Sequence, residues 1–218
     1  MSLLPAADLA APGRPAVDQQ IREAILGGEF APHQRLIEAD LSARFDATRA
    51  AVRAALLTLA SEGLVERLPN RGARVRSISV DEAVEIVEVR MGLESLCARK
   101  AAENADEDDM VWLGELRTQI AEAVASGNLV EYSRLNQDMD RRLRELSGHA
   151  TATQLLERLR AQSARHQFRL AFAPGRAAQS APEHIAIIDA VMARDPDAAE
   201  AATRTHLAGI VDVLRTLD

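Results

Sequence analysis

Aromatic residues make up only 3% of this 218-residue chain, with one Trp, one Tyr and four Phe. A core without them has to come from Leu, Ala, Val and Ile, which favours packed helices over a β-sandwich. The single cysteine, Cys97, excludes an internal disulfide, and its apolar helical surroundings make it core filler rather than a nucleophile. No run of about 18 apolar residues occurs, so nothing reads as membrane-spanning and we expect a cytoplasmic protein. The opening MSLLPAADLAAPGRP has neither the basic n-region nor the apolar h-region of a leader, and residues 1–14 read as a flexible tail. Lysine is nearly missing too: Lys100 is the one lysine among 26 basic residues, a bias we attribute to genome composition. Enzyme signatures are equally scarce, with no Gly-x-Gly-x-x-Gly, phosphate loop, Gly-x-Ser-x-Gly, His-Glu-x-x-His or Glu-x-x-His. An ordinary catalytic site is therefore not expected.

What is present is a segregated charge. The net charge of −7 argues against a nucleic-acid binder. Residues 35–76, however, carry 8 Arg against 5 acids, a net of +3, whereas residues 77–218 carry 16 basic against 24 acidic residues, a net of −8. That is the distribution of a DNA-reading head on an acidic body.

The head centres on Leu41 to Arg76, LSARFDATRAAVRAALLTLASEGLVERLPNRGARVR. Thr48 is a good N-cap, and Val52, Ala55, Leu56 and Leu59 recur at i, i+3, i+4 and i+7, so one stripe of this helix is buried. Arg49 and Arg53 project side by side on its flank near the positive N-terminal end. Two unpaired cations there are poor electrostatics for a free helix, and a polyanion is their natural partner. Gly63 ends the helix, and two short β-like runs, Leu64 to Leu68 and Ala73 to Arg76, are joined by Pro69-Asn70-Arg71-Gly72. A helix presenting its N-terminal residues fits the major groove, and a basic loop tip reaches the adjacent minor groove. Upstream, Pro15 suits a first helical position, and Val17, Ile21, Ala24 and Ile25 form an apolar face closed by Gly27-Gly28. Phe30 to Ile37 reads as a loop and Glu38 to Phe45 as the short helix before the recognition helix.

IREAILGGEFAPHQRLIEADLSARF followed by TRAAVRAALLTLASEGLVERLPNRGARV resembles the winged helix-turn-helix of GntR transcriptional regulators over nearly all of residues 17–76. Carried over by position, the resemblance implies DNA contacts from Arg49, Arg53, Arg71 and Gly72, with Thr48, Ala50 and Arg44 as secondary candidates. The family usually has Thr-Pro where this chain has Ala50-Ala51, and often an arginine at Ala39, which implies a different operator or a weaker phosphate clamp.

After a linker at residues 77–80 the pattern turns purely helical over 81–218. Ser79 to Glu82 is a capping box opening a long helix, Asp106 begins a second that Gly127 stops, a third runs from Leu129 to Ser147, and a fourth from Thr151 to Phe172. Pro174-Gly175 forces a loop, Ser180-Ala181-Pro182-Glu183 reads as another capping box, and Asp195-Pro196 starts the last helix. The fold expected is mainly α: a tail, a head over residues 15–76 with three helices and a β-hairpin wing, and an antiparallel six-helix bundle.

In that bundle His184 and His206 each lie eleven residues from Asp195, so a fold back at that break brings both imidazoles to one height. Asn136 and Asp140 at i, i+4 add two oxygens on one face. An N₂O₂ set of this kind suits a divalent metal such as Zn²⁺, Ni²⁺ or Mn²⁺, although a lone helical histidine is more often structural. VRMGLE, RLRELSGH, EHIAIIDAV and THLAGI resemble the FCD effector-binding domain of the FadR branch, VanR-like subgroup, over about residues 81–215. The resemblance implies a metal held by an Asp-x-x-x-His pair and two later histidines, receiving a carboxylate effector. The later histidines match His184 and His206, but the pair falls on Asn136 and Asp140. A harder ion such as Mn²⁺, Mg²⁺ or Ca²⁺, or a metal-free pocket, then fits as well. Arg90 stands where an effector carboxylate is met, and equally suits a structural salt bridge. The reading is a homodimeric regulator, by default a repressor, on a pseudo-palindromic double-stranded operator, controlled by a small organic acid. Its rival is a metal-dependent helical enzyme with a DNA-targeting head.

Overall fold

The computed structural model describes residues 15–68, 72–171 and 175–216, with 164–171 described by backbone alone. The expected tail at residues 1–14 and the wing tip, Arg71 included, lie outside the described residues. The chain divides into two compact units, Met1–Ser77 and Ile78–Asp218.

The first unit contains α1 (Val17–Leu26), β1 (Arg35–Leu36), α2 (Glu38–Arg44), α3 (Arg49–Ser61), β2 (Val65–Leu68) and β3 (Gly72–Val75). The Thr48 hydroxyl accepts the Ala51 N–H at 3.2 Å and so caps α3. Val52, Ala55, Leu56 and Leu59 are all buried, and α3 packs on α1, whose Ile21, Ala24 and Ile25 are buried too. Each large side chain so enclosed contributes roughly 1.5–3 kcal/mol, which makes this stripe the anchor of the unit. Two expectations need correcting. α1 starts at Val17 with Ala16 at its N-cap, so Pro15 stands outside the helix. The run Phe30 to Ile37 is not all loop, because Arg35 and Leu36 pair antiparallel with Arg74 and Ala73. The sheet therefore has three strands, in the order β1-β3-β2. Across β2 and β3, Glu66 faces Arg74 and accepts its Nε–H at 2.7 Å. Gly72 sits at φ +84°, and a Cβ there would lie 2.7 Å from the Leu36 carbonyl oxygen, so the close approach of β1 to β3 requires glycine.

The second unit contains α4 (Val80–Asn104), α5 (Glu107–Ala125), α6 (Leu129–Ser147), α7 (Ala150–Ala171), α8 (Arg176–Met192) and α9 (Pro196–Leu214). Their ends follow the punctuation of the sequence. Ser79 accepts from Glu82 N–H, Asp106 and Asp109 form a reciprocal capping box, Gly148 closes α6 at φ 61°, and Asp195 caps α9 ahead of Pro196. α4 lies centrally, packing on α6, α7, α8 and α9, and its Ala98, Ala101 and Ala102 are buried, small enough for close helix approach where aromatics are lacking.

α8 departs from expectation. It begins at Arg176, after Gly175 in the left-handed region, and Pro182 lies inside it. Ser180 caps nothing; it is buried in the second turn, with its Oγ in hydrogen-bond reach of the Arg176 carbonyl at 2.9 Å and of the Tyr132 hydroxyl. Pro182 is exposed, and so is Ala178, the residue whose carbonyl loses its i+4 donor, which is how a helix tolerates proline here. Among the described residues no helix is long and apolar enough to cross a membrane.

Candidate nucleic-acid interface and helical-body cavity

In the first unit, α2, the start of α3 and the sheet enclose an open groove of about 550 Å³. Arg35, Arg49, Arg53 and Arg67 line it against a single acid, Glu38, with Gly72 at its edge. All four guanidiniums are exposed. Arg53 is not unpaired as the sequence suggested: its Nε and Nη2 donate to the two Glu38 carboxylate oxygens at 3.1 and 2.8 Å. That bond, and Arg49 and Arg67 nearby, hold the Glu38 carboxyl below its ordinary range. Arg49, at the first position of α3, forms no ion pair or hydrogen bond among the described residues. Thr48 and Ala50 are exposed beside it. Arg44 lies outside this groove: it bonds Glu29 and stacks on the Phe30 and Phe45 rings, 4.8 and 5.5 Å from their centroids. Arg35 and Arg67 escaped the sequence reading, because only the sheet's pairing turns them toward α3.

In the second unit the fold brings His184 on α8 and His206 on α9 together as their spacing from Asp195 predicted, with Nε2 atoms 3.2 Å apart. His206 Nδ1 donates to Glu183 Oε2 at 2.8 Å, and His184 Nδ1 meets the Tyr132 hydroxyl at 3.1 Å. A carboxylate only accepts, so a neutral His206 ring carries its proton on Nδ1 and accepts at Nε2. The His184 Nε2–H then supplies that bond, and the Tyr132 hydroxyl donates to His184 Nδ1. Burial, and next the neighbouring His206, pushes His184 well below its ordinary value, so this ring is neutral. Burial alone would raise Glu183, but the His206 bond and the Arg176 guanidinium outweigh it and hold the carboxyl low. Arg176 bonds Glu183 at 3.0 Å, and Gly209 leaves the room this pair needs: a Cβ there would stand 3.2 Å from Glu183 Oε1. Glu183, Tyr132 and Arg176 were missed in the sequence, where only the adjacency of Glu183 to His184 offered a signal.

The four side chains expected to share one ion fall into two groups. The imidazoles suit a metal: ligands at about 2.0–2.1 Å in a tetrahedron stand about 3.3 Å apart, close to the spacing seen. Asp140, however, is turned into Arg160 of α7, which bonds its Oδ2 and reaches Glu94 at 3.4 Å. Despite its burial, that guanidinium and those of its neighbours hold Asp140 far down in the carboxylate range. Asn136 stays with Tyr132, and its buried Oδ1 has no hydrogen-bond partner among the described residues. Among the described residues no three His, Cys, Asp or Glu side chains gather closely enough to hold an ion. A guanidinium bound to the third donor repels a second cation, so this donor set does not fit a divalent metal. Arg90, 4% exposed, donates its Nε–H to Glu94 at 2.9 Å and so makes the salt bridge.

Two family models match the chain: "Bacterial regulatory proteins, gntR family" over residues 14–75, and "FCD domain" over residues 85–209. The transcriptional repressor RspR of Escherichia coli K12 is 29% identical over 205 residues, covering 92% of this chain and 90% of its own. The transcriptional repressor NanR of Klebsiella aerogenes is 29% identical over 231 residues, covering 92% and 85%. Among solved structures, E. coli McbR/YncC superposes with a TM-score of 0.76 at 20% identity, covering 92% of this chain and 95% of its own. A GntR regulator from Rhodococcus sp. RHA1 gives 0.71 at 24%, covering 93% and 97%. RspR and NanR are named transcriptional repressors and the Rhodococcus protein a transcriptional regulator, which favours the regulator over the rival reading of the body as a catalyst.

Proposed function

The chain belongs to the GntR family of bacterial regulatory proteins and carries an FCD domain, and from that premise we propose a homodimeric repressor whose grip on its operator is set by a small organic acid bound in the helical body. As a regulator of this type it binds DNA. The observation that carries the operator-reading face is the arginine-lined groove at the N-terminal end of α3, where Arg49 and Arg53 project beside the helix's own positive end. Repression is supported by RspR and NanR, both named repressors. Two-fold symmetry would give two such faces and a pseudo-palindromic operator. The FCD body supplies the effector site, around the polar string from Tyr132 to Glu183 and the arginine-carboxylate cluster beside it. Effector binding would change operator affinity by about 1–3 kcal/mol, or roughly 5- to 150-fold.

The test selects an operator from genomic fragments with the protein itself and compares wild type with the Arg49→Ala, Arg53→Ala double variant by fluorescence anisotropy. Base or phosphate contacts worth about 1–3 kcal/mol each predict a loss of at least tenfold, with an unchanged far-UV circular dichroism spectrum. Equal affinity of the two proteins would refute the assignment of this face.

A further inference from the structure

A second cavity, about 20 Å³ and so the size of one water-sized group, lies between α4, α6, α7 and the α9 residues Thr203 and His206. Its charged lining is Glu94, Asp140, Arg144 and Arg160. Arg160 bridges Asp140 and Glu94, and Arg90 takes the Glu94 Oε1 that Arg160 also reaches. Arg144 is left over, and its Nη1 is buried with no hydrogen-bond partner among the described residues. The connected cluster thus holds three guanidiniums, Arg90, Arg144 and Arg160, against two carboxylates. Glu157, which also acts on Arg144, is exposed to solvent. A buried, unmatched positive charge with an unsatisfied donor is costly unless an anion completes it. Burial and then the neighbouring Arg160 depress the Arg144 guanidinium from its ordinary value, the direction expected of a cation lacking its counter-charge.

We infer that this cavity is a metal-independent seat for the carboxylate head of a small monoanion, which Arg144 and Arg160 hold in place of a metal ion. The inference rests on the reading of the body as the effector domain and names the chemistry of that site. The excess of one positive charge selects a monoanion, because a dianion would overcompensate beside Glu94 and Asp140. The enclosed space takes one water-sized group, so a single carboxylate oxygen enters it beside Arg144 and the rest of the anion must extend along the opening between the helices. Guanidinium suits the role: its planar fork matches a carboxylate, whereas lysine would offer only a point charge.

Full-length protein is dialysed exhaustively against EDTA and titrated calorimetrically with sodium acetate, and separately with sodium phosphate, at equal ionic strength. Acetate is expected to bind the EDTA-treated wild type, Arg144→Met to weaken it at least tenfold, and Arg144→Lys to fall between, with far-UV circular dichroism confirming that both variants are folded. Binding of acetate only after Zn²⁺ or Mn²⁺ is restored would overturn the inference in favour of a metal site. So would equal binding by Arg144→Met, preference for phosphate, or no binding of either anion. Operator binding by the same wild-type preparation is scored separately, so a protein that takes acetate but no DNA would refute the regulator reading and leave the seat standing.

Discussion

Replacing Gly72 by Ala probes how the wing is held to the rest of the head, and Gly28 supplies an internal control. Both glycines have positive φ, +84° and +80°, so alanine at either meets the left-handed penalty of about 1–2 kcal/mol. At Gly28 nothing lies within 4 Å of the added Cβ, and that penalty is the whole cost. At Gly72 the Cβ would stand 2.7 Å from the Leu36 carbonyl oxygen, a backbone atom held by the pairing of β1 with β3. Separating them adds an overpacking term of about 1–3 kcal/mol. Gly72→Ala should therefore destabilise the head by about 2–5 kcal/mol and Gly28→Ala by about 1–2. In a domain of this size the difference lowers Tm by at least about 4 °C. Differential scanning calorimetry reads the head, while fluorescence of Trp112, the sole tryptophan and a residue of α5, reads the body and should not move. Equal losses in the two variants, or a loss carried by the Trp112 signal, would refute the close approach of β1 to β3.

Glu38→Gln removes the one acid from the arginine groove and frees Arg53; we expect tighter operator binding and a log K against log salt slope steeper by about one. Weaker binding would mean that Glu38 instead fixes Arg53 in its bound pose. Asp109 is buried, which alone would raise its carboxyl, but the Asp106 N–H and Arg142 outweigh burial and hold it below its ordinary value. Its contribution is therefore present above the unfolded value of about 3.9 and is lost as pH falls through the folded one. Asp109→Asn should cost about 1–3 kcal/mol at neutral pH, and its urea midpoint should fall less than that of wild type as pH drops from about 6 to 3; parallel curves would sink the assignment. Elemental analysis of tag-free protein purified without chelator should find Zn, Ni and Mn well below one per chain. One ion per chain, absent from His184→Ala, would restore the four-donor site.

Most helix ends were legible because their signals are local: Thr48, Ser79, Asp106, Gly148 and the Asp195-Pro196 pair each act within a turn of where they stand. The start of α8 was not, since Ser180 and Glu183 imitate a capping box while Gly175 does the work, and an exposed Pro182 lets the helix run through. β1 is two residues long, too short to alternate, and exists only because β3 lies beside it. The site divides along the same line. Equal spacing from Asp195 was enough to bring His184 and His206 together, because α8 and α9 are consecutive and fold back on one another. Arg160 and Arg144 carry no mark in the sequence that separates them from the other arginines of α6 and α7. Only the packing of α7 against α4 and α6 sets Arg160 on Asp140 and leaves the Arg144 Nη1 without a hydrogen bond among the described residues.

The bond between Asp140 and Arg160 also constrains how this chain can evolve. The FCD resemblance places a histidine at position 140, and a single change from Asp to His would take from Arg160 one of its two carboxylates, leaving Glu94, and set a cationic or neutral ring against it. Both intermediates on the way to a metal-binding ancestor or descendant, Asp140→His alone and Arg160 replaced alone, are less sound than either endpoint. The two positions are therefore expected to change together, and relatives that keep this cluster should carry the acid and the arginine as a covarying pair across α6 and α7.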